Sequence, residues 1–127
     1  MQDLHIAASG TSPEVDFRFS SHRLALIGES YPENAAAFYG PVIEALREYL
    51  AQANGQRIEV HVELRYFNSS STKVLFNIFD LLNSATGSNE VVLHWYHDEE
   101  DDTILEFGND LHEDFPSINY IPMAIVA

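Results

Sequence analysis

The sequence predicts an α/β domain built on a mixed β-sheet of four to six strands with helices packed on one face, in the order β-β-α-β-α-β-α-β. Three observations lead there. Between Arg57 and Phe67, Ile58, Val60, Val62, Leu64 and Tyr66 alternate with Glu59, His61, Glu63 and Arg65, the period of a strand with one buried and one wet face. From about Ser71 to Ala85, Val74, Leu75, Ile78, Leu81, Leu82 and Ala85 fall at helical spacing. Strand and helix patterns then alternate to the end of the chain, which favours parallel pairing through right-handed crossovers.

Taken in order, residues 1–11 are rich in Ala and Ser and read as a loose lead-in to a single domain spanning 1–127. Val15, Phe17 and Phe19 alternate with Asp16, Arg18 and Ser20; Ser20-Ser21-His22 can turn the chain, and Arg23 to Gly28 returns with Leu24 and Leu26 inward, a hairpin. A polar connection, Glu29 to Asn34, precedes a helix from Asn34 to about Ala53 carrying Phe38, Val42, Leu46, Tyr49 and Leu50. Pro41 cannot donate to Ala37, so this helix is expected to kink or to begin near Gly40. Asn54-Gly55 closes it. After the strand at 57–67 and the helix at 71–85, Gly87 ends the helix and Val91 to His97 forms the next strand, with Val91, Leu93 and Trp95 on one face. Asp98 to Asp102 leads into a helix bearing Ile104, Leu105, Phe107 and Leu111. Ile118 to Val126 is an edge strand, because Pro122 lacks the donor that a central strand needs.

Composition bounds the function. A chain of 127 residues with 46% hydrophobic side chains buries a core without help, and the absence of cysteine excludes disulfides, thiolate catalysis and Cys-ligated zinc. Twenty acidic against six basic residues, a net charge of −14, repel nucleic acid and anionic lipid. The start, Met1-Gln2-Asp3-Leu4-His5-Ile6, has neither the basic opening nor the apolar stretch of a signal peptide, and no apolar run reaches the ~18 residues of a membrane span. A cytoplasmic protein is expected.

The stretch with most chemical content is Tyr66-Phe67-Asn68-Ser69-Ser70-Ser71-Thr72-Lys73. Four hydroxyls stand where a strand gives way to a helix. A Ser or Thr there caps the helix, an interaction worth about 1 kcal/mol. One cap needs one hydroxyl, and a helix start also tolerates phosphate, so capping and phosphate acceptance both stay open.

Tyr31-Pro32-Glu33-Asn34, Phe38-Tyr39-Gly40-Pro41, Tyr66 to Lys73, and Trp95-Tyr96-His97-Asp98-Glu99-Glu100-Asp101-Asp102 together resemble the SiaC-like family of bacterial regulatory phosphoproteins, in order, from about Thr11 to Ile121. The resemblance implies a STAS-like fold and a non-enzymatic signalling role without a cofactor. It also implies reversible phosphorylation by a dedicated protein kinase, reversal by a PP2C-like phosphatase, and an unphosphorylated form that activates a diguanylate cyclase, controlling cyclic-di-GMP and biofilm formation. The family's acceptor is a threonine directly after the Asn of the Tyr-Phe-Asn motif; here that position is Ser69, with Ser70 as the rival. Asn68, Ser70, Ser71, Lys73, Phe76, Asn77 and Asp80 are the expected partner-binding residues, Phe76 serving as an exposed anchor or merely widening the apolar face. The alternative is a STAS-like anti-anti-sigma-type binding module acting on a different target.

Other chemistry is weakly supported. Asp98 to Asp102 lacks the alternating ligands and glycine of a calcium loop and suits the first turn of a helix. His94 and His97, three apart in a strand, project to opposite faces and do not share a metal. No nucleophile motif, phosphate-binding glycine loop or spaced carboxylate pair is present.

Overall fold

In the computed structural model, which describes residues 2–126, the alternation seen at 57–67 becomes the centre of the sheet. The strands are β1 (Leu4–Ile6), β2 (Glu14–Arg18), β3 (Arg23–Ser30), β4 (Arg57–Phe67), β5 (Glu90–Asp98) and β6 (Asn119–Ile125); the helices are α1 (Ala35–Gln52), α2 (Ser69–Ser84) and α3 (Asp102–Asp114). The sheet order follows the chain from β1 to β6. β1, β2 and β3 pair antiparallel, and β3 to β6 pair parallel. Three successive crossovers in one direction and of one hand put α1, α2 and α3 on the same face. The expected mixed sheet covered on one side is what forms.

The core lies between sheet and helices. Val15, Leu24, Ile58, Val62 and Trp95 from the strands meet Tyr39, Leu46, Leu75, Phe79 and Leu111 from the helices, all at most 2% exposed. Each such side chain contributes about 1.5–3 kcal/mol of burial, which is the main force holding the layers together.

Four local features differ from the sequence expectation, each for a physical reason. The lead-in is not loose throughout: Leu4 to Ile6 adds a strand against Val15 to Phe17, too short to announce itself by period. Helix α1 includes Pro41 within its span instead of starting near Gly40. Asn34 caps it by accepting from the Ala37 N–H at 3.0 Å. Ala35 and Tyr39 in its first turns are buried with Val42 and Leu46, while Pro41 faces solvent. Burial of that stripe outweighs the one hydrogen bond that Pro41 removes.

Helix α2 begins at Ser69, and its cap is the Asn68 side chain, not a hydroxyl. Finally, Tyr66 leaves the apolar face. Gly28 pairs with Leu64 but Glu29 pairs with Tyr66, so Arg65 is an extra residue in β4. This bulge shifts the phase of the strand. Tyr66 turns out to 51% exposure, and Phe67 turns in against Trp95 and Phe107.

Candidate functional site

The site is assembled at the carboxyl ends of β3 and β4. The Asn68 N–H donates to the Ser30 carbonyl at 3.1 Å, fixing the end of β4 against β3. The Asn68 Oδ1 accepts from the Ser71 N–H at 3.0 Å, and its carbonyl accepts from the Thr72 N–H at 3.0 Å. The four hydroxyls, equivalent in the sequence, are then sorted by what lies around them.

Ser71 is wholly buried. Its hydroxyl donates to the Ser30 carbonyl at 2.9 Å and accepts from the Ser30 hydroxyl at 2.8 Å. With the Ser30 proton so committed, the 2.6 Å contact to Tyr39 has the phenol donating to Ser30 Oγ. Burial raises the Tyr39 pKa, which keeps that donor protonated. Thr72 Oγ1 donates back to the Asn68 carbonyl at 3.1 Å. These two hydroxyls lock the turn from inside. Ser71 is therefore removed from the expected partner-binding residues, because a side chain at 0% exposure touches no partner.

Ser69 and Ser70 are exposed, and among the described residues neither hydroxyl has a hydrogen-bond partner. Their N–H groups occupy the first two positions of α2, ahead of the first N–H that the cap satisfies. Exposed hydroxyls above free N–H groups at the positive end of a helix dipole make a place where a phosphate can be attached and solvated without rebuilding the domain.

Lys73 is exposed one turn after Ser69, on the same side of the helix, and makes no ion pair among the described residues. Asn77 and Asp80 are exposed further along α2. Phe76 is half-buried, packed edge-on to Phe107 at 5.5 Å and tilted against Phe115 at 6.4 Å, so α3 already takes most of it. The exposed aromatic surface lies elsewhere: Tyr31, 37% exposed, and Tyr66 meet edge to face at 5.6 Å. Sequence reasoning missed this pair, since its members lie in separate motifs and Tyr66 turns outward only through the bulge.

The uncovered sheet face carries a second group that the sequence did not reveal. His61 and His94 are partners across β4 and β5, and their rings stack at 4.4 Å with 3° between planes. His94 Nε2 lies 3.3 Å from Glu59, and His61 Nδ1 lies 3.0 Å from the Tyr96 hydroxyl. His97 points to the opposite, helix-covered face, as its spacing from His94 predicts. Among the described residues no group of three or more His, Asp or Glu could hold a metal ion, and no helix is long and apolar enough to cross a membrane.

These features define a small α/β domain, open on one sheet face, that presents two exposed serines at a helix start. The chain belongs to the SiaC family: the family model described as SiaC family regulatory phosphoprotein matches residues 6–123. It is 36% identical over 116 residues to an uncharacterized protein of Pseudomonas aeruginosa strain UCBPP-PA14, covering 90% of each. The solved structure of apo-SiaC from Pseudomonas aeruginosa superposes with a TM-score of 0.89 at 33% identity, over 98% of this chain and 100% of that one. SiaC of the same organism, in a crystal structure where it is the activator in complex with the diguanylate cyclase SiaD, gives 0.89 at 32% identity over 97% and 100% of the two chains. Family and fold thus agree with the sequence resemblance.

Proposed function

We propose that this protein is a non-enzymatic cytoplasmic switch whose unphosphorylated form binds and activates a diguanylate cyclase, and that phosphorylation of Ser69 ends that binding. The observation carrying the reading is the exposure of Ser69 at the first position of α2, with Asn68 serving as the cap and Ser71 and Thr72 tied inward. Membership in a regulatory phosphoprotein family and likeness to a known cyclase activator support it. A protein kinase attaches the phosphate and a PP2C-like phosphatase removes it.

The mechanism is electrostatic. A phosphoserine adds about −1.5 to −2 charge and three strong acceptors. Within the domain, the free N–H groups of the first turn and Lys73 one turn on can receive it, so the fold is unchanged. At an interface formed with a neutral hydroxyl, the same group must be desolvated, and about 2.8 kcal/mol lost there lowers affinity a hundredfold. Asn68, Ser70, Lys73, Asn77 and Asp80 belong to the docking surface in this reading, with Phe76 contributing only its exposed edge.

The test begins with incubation of the protein with ATP and its kinase. Intact mass is expected to show one added phosphoryl group, absent in Ser69→Ala and retained in Ser70→Ala. Ser69→Ala should recover the cyclase in a pull-down, and Ser69→Asp should recover at least about tenfold less. Equal recovery by the two variants would remove Ser69 from the mechanism.

A further inference from the structure

The carboxyl ends of β3 and β4 carry an exposed aromatic surface. Tyr31 follows the last residue of β3, and Tyr66 is next to last in β4. Their rings meet edge to face at 5.6 Å. The bulge leaves Arg65 and Tyr66, successive in β4, both exposed, and opposite it β3 bends at Gly28, whose φ of 126° suits glycine. The phenols set this pair apart from the rest of its kind. Of the six tyrosines, Tyr39, Tyr49, Tyr96 and Tyr120 each bond another side chain through the hydroxyl. Among the described residues, the hydroxyls of Tyr31 and Tyr66 have no such partner.

This surface is continuous with the Ser69 region. The Asn68 N–H donates to the Ser30 carbonyl, so the backbone leading into Tyr31 lies against the residue before Ser69. Tyr66 precedes Ser69 by three positions. Charge around the pair is balanced. Glu29 and Glu33 stand on the β3 side, Arg65 and Lys73 on the β4 side; all four are exposed, and none makes an ion pair among the described residues. On a chain of net charge −14 this is a locally neutral area. It therefore accepts an uncharged partner surface without like-charge repulsion and holds no net attraction for a polycation.

Resting on the cyclase reading above, we propose that Tyr31 and Tyr66 anchor the docking surface and seat an apolar side chain of the cyclase segment that covers Ser69. Asn68, Ser70, Lys73, Asn77 and Asp80 are polar and fix register. Tyrosine is enriched among the residues that carry binding energy, because a rigid ring buries much area at small entropic cost. Each phenol is also available to donate to a partner carbonyl. The two parts of the site then divide the work. The rings supply affinity, and Ser69 beside them makes it conditional: a phosphate there turns a balanced patch negative and holds water where the partner must dock.

The test measures, by titration calorimetry, the affinity of the unphosphorylated full-length chain for the purified cyclase that Ser69→Ala recovers. Tyr31→Ser and Tyr66→Ser should each weaken binding at least about tenfold, and Tyr66→Phe, which keeps the ring, about threefold or less. Ile121→Ser on β6, where the native side chain is 38% exposed against 37% for Tyr31, should change it less than about twofold. Amide NMR spectra report the fold of each variant; should Tyr66→Ser, inside β4, lose dispersion, Tyr31→Ser carries the comparison. Unchanged affinity in both serine variants, or equal weakening by Ile121→Ser, would overturn the anchor, and Ser69→Asp still binding weakly would leave the switch standing. Weakened tyrosine variants beside an unweakened Ser69→Asp would keep the anchor and remove the switch. Recovery of no cyclase by Ser69→Ala would sink both.

Discussion

Gly108 sits in the middle of α3, where glycine ordinarily costs about 1 kcal/mol relative to alanine. Here the balance reverses. A Cβ would fall 2.5 Å from Trp95 Cδ1 and Nε1 and 2.6 Å from the Tyr120 hydroxyl. Trp95 cannot give way, because its ring is fully buried and its N–H donates to the Ile104 carbonyl at 2.8 Å. Gly108→Ala is therefore expected to destabilise the protein by about 1–3 kcal/mol, read as a lower urea midpoint. An unchanged or higher midpoint would mean that the helix moves off the indole at little cost. The same scale decides the serine run. In the sequence its four hydroxyls are alike; only Ser30, which bonds Ser71 from β3 and is itself held by Tyr39 of α1, distinguishes the structural serine from the accessible ones. No local pattern carries that distinction.

At the scale of elements, the uncovered sheet face holds a titratable pair. Burial first, and then the charges of Arg23 and His94, hold the His61 pKa below its ordinary value of 6.5, while Glu59 acts in the opposite sense. Tyr96 adds a hydrogen bond to the ring, and Glu59 faces His94. As pH falls through 6.5 the unfolded chain takes up this proton before the folded one does. Stability is therefore full above that value and declines as the pH drops to the lower pKa of the folded state. Urea denaturation at pH 7.5 and 5.5 should show a larger acid loss for the native protein than for His61→Gln, and equal losses would remove His61 from the effect. The long, regular elements were legible because period and burial agree: β4, α2, β5, and β6 as an edge marked by Pro122. What escaped were features in which one contact overrides a local rule. Three residues of β1 are too few to show a period, and buried Ala35 and Tyr39 carry α1 past a proline that local chemistry would have made a boundary.

For the whole molecule, a net charge of −14 on 127 residues means that the folded state works against its own repulsion. Raising NaCl from about 0.01 to 0.5 M shortens the screening length from about 30 Å to a few Å and should raise the thermal midpoint by a few degrees. A flat or falling response would show that the existing ion pairs already balance the surface. The one-sided arrangement of helices was readable from the sequence, because the charged residues of β4 alternate so regularly with its apolar ones. The exposed tyrosine pair was not, since it forms only where β3 and β4 end side by side. Arg65 also breaks the count by twos along β4, so any residue numbered from Ile58 by parity lands on the wrong side once it passes that point. Deleting this single position would restore even spacing with Tyr66 still toward water and Phe67 still toward the indole, because the ladder beside β3 already pairs as though that residue were absent.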